Sequence, residues 1–110
     1  MELSRQEGVV SVKLDQTDLE NPVDVYAAFE ELIFDRGERR IVVDLSEVTM
    51  LTSLMIGTLV SIHLLAYENV VVLSFENMHE KIATLFRLIG VDSLVGAHYP
   101  STPRAPDRTS

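Results

Sequence analysis

Apolar and polar residues alternate from Gly8 to Leu14 (G-V-V-S-V-K-L), with Val10, Val12 and Leu14 on one side and Val9, Ser11 and Lys13 on the other. A period of two predicts a strand with one buried face. Glu2 to Gln6 can add a partner strand ahead of it. Asp15 to Pro22 reads as a polar loop, with Asn21-Pro22 as a helix start. From Val23 to Phe34 the period lengthens. Val25, Phe29, Leu32 and Ile33 recur at three- and four-residue steps, while Asp24, Glu30, Glu31 and Asp35 mark a wet side. Arg36-Gly37 closes this helix, glycine being suited to the left-handed cap. Ile41 to Leu45 does not alternate, which predicts a strand buried on both faces.

That strand feeds the most telling stretch of the chain, Arg40 to Gly57 (R-I-V-V-D-L-S-E-V-T-M-L-T-S-L-M-I-G). A short polar connection leads to a very apolar helix, Ser53 to Ala66. Val70 to Phe75 is then a second buried strand. Asn77 can cap a third helix, Met78 to Ile89, whose stripe is Met78, Ile82, Leu85, Phe86 and Ile89 and which Gly90 ends. Val91 to Val95 can form a short edge strand. From Pro100 the chain is Pro-rich, with nothing to bury, and is expected to be disordered. The order β-β-α-β-α-β-α-(β) predicts an α/β domain with a largely parallel sheet under helical cover. No internal repeat is present.

Composition narrows the function. One core suits 110 residues. Asp and Glu number 17 against 9 Lys and Arg, a net charge of −8. This opposes nucleic-acid binding and docking on anionic lipid, both of which need cations. It is compatible with a basic protein partner, and equally with a role in solubility alone. The absence of cysteine removes disulfides, thiolate metal sites and a Cys nucleophile, and fits a reducing, cytoplasmic setting. The first residues, Met-Glu-Leu-Ser-Arg-Gln-Glu, lack the apolar core of a signal peptide. Met50 to Tyr67 approaches spanning length. However, it contains Thr52, Ser53, Thr58, Ser61 and His63 and is flanked by Glu47 and Glu68, so a helix buried in a soluble domain is expected and no membrane insertion.

The run V-V-D-L-S-E-V-T-M-L-T-S-L-M-I-G resembles the signature of the STAS domain, typified by bacterial anti-sigma-factor antagonists. The usual pattern is a strand ending D-L-S-x-V, an aliphatic residue, then D-S-S-G-L-G opening a helix. L-F-R-L-I-G-V-D-S-L-V, from Leu85 to Val95, resembles the family's closing helix and turn. The resemblance implies a STAS-like single layer of four to five mostly parallel strands packed against three to four helices. That domain would occupy residues 1–99, with residues 100–110 as tail. It implies a phosphoacceptor at Ser53, modified by a serine kinase that is also the anti-sigma factor. The sequence departs from the pattern at Thr52 (family Asp), Leu54 (second Ser) and Met55 (first Gly), while Gly57 matches the final Gly. The family's Gly-x-Leu-Asp after the second strand is not reproduced.

Chemically, Ser53 stands where a helix begins. The first amides of a helix lack internal partners and the dipole is positive there, so a phosphate is tolerable. Thr52 or Ser53 can equally be a simple helix cap. Ser53, Gly57 and Ser61 recur every four residues, a stripe of small side chains that lets another backbone approach. Thr52, Leu54, Met55, Gly57 and Ser61 are the candidate partner contacts. The alternative for this helix is burial under the third helix. His63, His79 and His98 are too scattered for a metal site, and Asp44 has no paired base or nucleophile, so it is expected to accept backbone bonds at its turn. There is no Gly-rich phosphate loop, and no cofactor is expected.

These readings converge on a non-enzymatic regulator whose partner is an anti-sigma-factor serine kinase, switched at Ser53. The rival is a STAS scaffold or adaptor that contacts another STAS protein, or itself as a homodimer, without phosphorylation. An enzyme or small-ligand module lacks a catalytic constellation.

Overall fold

The computed structural model describes residues 1–89. Strands β1 (Glu2–Gln6) and β2 (Val9–Asp15) form an antiparallel hairpin through Glu7-Gly8, at φ 54° and 82°. Two successive positive φ angles give the turn a twist that matches its strands. Helices α1 (Gln16–Leu19) and α2 (Pro22–Glu30) follow, then a π-helical turn (Glu31–Asp35). Next come β3 (Arg40–Glu47), α3 (Ser53–Glu68), β4 (Val72–Glu76) and α4 (Glu80–Ile89).

The sheet order is β1-β2-β3-β4, with β2, β3 and β4 parallel. Each new strand is added on the same side of the last. Right-handed crossovers therefore place α2 and α3 on one face of the sheet. Rows across that face make the core: Val10, Ile41 and Leu73, then Val12, Val43 and Phe75. Phe29, Leu59, Ile62, Ile82 and Phe86 close over them from the helices. The result is a four-stranded, mostly parallel layer under helices, the α/β class the residue pattern predicts. Beside it, the ion pair of Arg5 on β1 with buried Glu38 ties the edge hairpin to the approach to β3.

Several sequence expectations change in detail. The strand around Ile41–Leu45 is not buried on both faces. Ile41, Val43 and Leu45 are buried, while Val42 and Asp44 are only half-buried on the face without helices. Val42 there is a β-former between Ser11 and Ser74. The expected loop at Asp15–Pro22 contains α1, whose start is a capping box. The Asp18 N–H donates to Asp15 at 2.8 Å and the Asp15 N–H to Asp18 at 2.9 Å. Acidic residues supply both halves of the box, and polarity alone did not separate it from a loop.

The last strand starts at Val72, because Val70 takes φ 57° and ends α3 instead. Asn77 does not cap the third helix: it sits at φ 60° in the turn, and the His79 carbonyl receives the N–H of Ile82 and of Ala83. Gly90, the edge strand expected at Val91–Val95, His98 and the tail from Pro100 lie outside the described residues.

Candidate functional site at the start of helix α3

The site begins where β3 stops. Asp44 Oδ1 accepts the Ser46 N–H at 2.9 Å, and the Val48 N–H bonds to the Leu45 carbonyl at 3.0 Å, turning the chain out of the sheet. Partial burial is the largest single influence on Asp44 and pushes its pKa up. The hydrogen bonds from Ser46 and Asn77, together with the Lys13 charge, outweigh it and hold the carboxyl below its ordinary range. Lys13, Asp44 and Glu76 form one row across the three parallel strands. His79 Nε2 lies 2.8 Å from the Ser46 carbonyl, joining the start of α4 to the same strand end.

The loop ahead of α3 is held from α1. Gln16 Oε1 accepts the Thr49 N–H at 3.0 Å, and Gln16 Nε2 donates to the Met50 carbonyl at 2.5 Å. Thr52 then caps the helix. Its backbone is extended (φ −95°, ψ 171°), its Oγ1 accepts the Met55 N–H at 3.2 Å and its carbonyl accepts the Ile56 N–H at 3.0 Å. The cap is therefore Thr52, and Ser53 is the first helical residue, exposed to solvent. Among the described residues, the backbone N–H groups of Ser53 and Leu54 find no hydrogen-bond partner.

Leu54 is 57% exposed, and Gly57 and Ser61 are also exposed. Met55 departs from the sequence expectation. It is buried, with its sulfur 3.4 Å from Gln16 Nε2, so its side chain supports the site from beneath and does not line its surface. A long thioether fits this position because the first turn of α3 lies over the core. Thr58 is also buried, its hydroxyl donating to the Leu54 carbonyl at 3.0 Å.

The stripe of small residues faces α2. Gly57 and Ser61 form one wall of an open groove of about 590 Å³, with Ser53 and Leu54 at the same wall. Val23, Tyr26, Ala27 and Glu30 form the other. These four follow helical spacing one stripe away from the core residues Val25, Phe29, Leu32 and Ile33. Val23 is 80% exposed. Sequence reasoning named the α3 wall and missed the α2 wall. The available signal was Val23, an apolar residue off the core stripe. Gln16 carried no such signal, since its partners lie more than thirty residues away.

This arrangement, a mostly parallel four-stranded sheet whose central strand delivers an exposed hydroxyl to the start of a helix, is that of a STAS domain. The family described as "Mlab, STAS domain" matches residues 2–96, and the chain belongs to that family. STAS domains generally act through contact with other proteins, and the chain is a regulatory protein of this kind. Among solved structures, it is similar to the NMR structure of the protein TM1081. The TM-score is 0.69 at 19% identity, over 84% of this chain and 75% of that one. No curated protein matches the chain. Among the described residues, no helix is long and apolar enough to cross a membrane.

Proposed function

We propose that the protein is a non-enzymatic regulator of the anti-sigma-factor-antagonist type. In this reading it binds a serine-kinase anti-sigma factor through the start of α3 and the α2–α3 groove, and phosphorylation of Ser53 releases the partner. The observation that carries it is the placement of Ser53: exposed, first in the helix and beside two unpartnered N–H groups. In the kinase reaction the Ser53 oxygen forms a bond to the γ-phosphorus of ATP, ADP leaves, and the hydroxyl proton passes to a base of the kinase. The free amides and the helix dipole accommodate the dianion. Its hydration shell then stands against exposed Leu54 and Val23, so an apolar contact there would have to desolvate it.

A second reading has a specific observation in its favour. Thr52 occupies the place of the signature aspartate and is engaged as a cap, and exposed Leu54 replaces the second serine. Both changes suit a permanent apolar contact, as in an adaptor that works without phosphorylation.

Incubation with candidate anti-sigma serine kinases and ATP, followed by mass spectrometry, separates the two. The switch reading expects phosphate on Ser53, partner binding weakened by Ser53→Asp and binding retained by Ser53→Ala. Absence of modification, with binding indifferent to both substitutions, overturns it in favour of the adaptor.

A further inference from the structure

The α2–α3 groove is one-sided in charge. No Lys or Arg occurs from Leu14 to Asp35 or from Ile41 to Glu80, so α1, α2 and α3 bring no cation to it. The α2 wall carries Glu30 in the groove, and Asp24 adds a carboxylate to the first turn of the same helix, outside the groove. Neither carboxylate has a cationic partner among the described residues, whereas neighbouring Glu31 lies 3.7 Å from Arg36. The α3 wall is uncharged at Ser53, Leu54, Gly57 and Ser61.

We infer that the groove takes an amphipathic helix of a partner protein, with an apolar ridge on the small α3 wall and a Lys/Arg flank facing Glu30. This rests on the proposal that the groove is the protein-contact face, and adds the chemistry of the partner to it. Gly57 leaves the depth a helix needs, since a Cβ built there meets nothing within 4 Å. From Ser53 to Ser61 the wall is about 12 Å long, room for roughly two helical turns. Exposed Val23 and Leu54 offer apolar surface at the Ser53 end, and the unpaired Glu30 carboxylate supplies complementarity on the α2 wall. The net charge of −8 further steers a cationic partner inward. A second copy of this chain is a poor occupant, because its own α1–α3 surface repeats the acidic excess. The division of the walls also fits a switch at Ser53: a phosphate there meets the apolar ridge, while the cations lie along the opposite wall.

The test uses a fluorescent peptide of about 18 residues, with leucines at helical spacing flanked by lysines, and an isomer with the same leucines flanked by glutamates. Binding to the full chain is read by anisotropy and by amide NMR shifts. The lysine peptide is expected to bind and to shift amides of α2 and α3. Its affinity should fall about tenfold as salt rises from about 0.05 to 0.3 M. Glu30→Lys should weaken it about three- to tenfold, Asp24→Lys outside the groove clearly less, and Leu54→Asp at least about tenfold. The glutamate peptide should not bind. Equal binding of both peptides, indifference to Glu30→Lys, shifts confined to α4, or self-association of the chain abolished by Leu54→Asp would overturn the inference. Its failure is distinct from failure of the switch. A Ser53 that no kinase modifies is compatible with lysine-peptide binding, and a modified Ser53 is compatible with a groove blind to charge.

Discussion

Gln16 and Met50 are joined across 34 positions by a 2.5 Å hydrogen bond from the Gln16 side-chain amide to the Met50 carbonyl. The same amide's oxygen receives the Thr49 N–H at 3.0 Å. A side chain from the first turn of α1 thus takes the place of secondary structure for a loop that has none of its own. Met50 is 58% exposed, so between buried Val48 and half-buried Leu51 it is Gln16 that fixes the path from β3 to the Thr52 cap.

Gln16→Ala should therefore cost about 1–2 kcal/mol, the worth of two net hydrogen bonds with their partners left to water. The larger effect should be local. Amide exchange at residues 48–52 should accelerate more than in the strands, and partner or peptide affinity should fall even where the domain remains folded. Uniform exchange across the domain would show that the bond contributes only to global stability.

Thr52 and Ser53 are adjacent hydroxyls with different work. Thr52→Ala removes the acceptor for the Met55 N–H and should destabilise by about 1 kcal/mol in chemical denaturation. Ser53→Ala, at the first helical position with an exposed side chain, should change stability by less than about 0.5 kcal/mol. Equal losses would mean that Ser53 shares the capping role.

The frame of the fold was legible because its signals are local. Alternation marked β2, three- and four-residue spacing marked α2, and the small stripe at Ser53, Gly57 and Ser61 marked the open side of α3. What was not legible depends on partners distant in sequence. Val42 reads as a buried residue and is not, because the helices cover only the other face. Met55 reads as surface-lining because a bulky apolar residue stands where the signature has its first Gly, and the core beneath α3 takes it in. Gln16 is silent in sequence because nothing sets it apart from its polar neighbours Asp15, Thr17 and Asp18.

Asp44 gives a pH dependence of definite sign. Its folded pKa lies below the ordinary value, so the unfolded chain binds the proton more tightly. The stabilisation is complete above the unfolded pKa, about 3.9. It is lost as the pH falls through the lower folded value. Asp44→Asn should be less stable than the parent at neutral pH, and the gap should close on acidification. A gap independent of pH would assign the effect to shape and not to charge.

Val70 ends α3 in a conformation better suited to glycine. The Val71 N–H bonds to the Ala66 carbonyl at 2.8 Å and the Val70 N–H to the Tyr67 carbonyl at 3.3 Å, closing the helix with Val70 at φ 57°. A β-branched residue there costs about 1–2 kcal/mol, and at 83% exposure it recovers little by burial. Val70→Gly relieves that strain but adds about 0.5–1 kcal/mol of backbone entropy, so a net gain of up to about 1 kcal/mol is expected in thermal or chemical unfolding. A loss of stability would show that the Val70 side chain makes a contact worth more than its strain.

Gly57 separates stability from function. It stands inside α3 with ordinary helical geometry, and a Cβ there meets no atom within 4 Å. By helix propensity alone, Gly57→Ala should stabilise the isolated protein by about 0.8–1 kcal/mol. The same methyl would narrow the wall on which a partner helix rests, and Gly57→Leu would fill it. If the groove is the docking surface, Gly57→Ala should raise the melting temperature and lower affinity for the lysine-flanked peptide. Gly57→Leu should abolish binding in a folded protein. Because Gly57 is exposed and away from the Thr52 cap, neither effect can pass through helix initiation. Retained affinity in Gly57→Leu, with circular dichroism and denaturation showing an intact domain, would place the contact elsewhere and remove the groove from the mechanism.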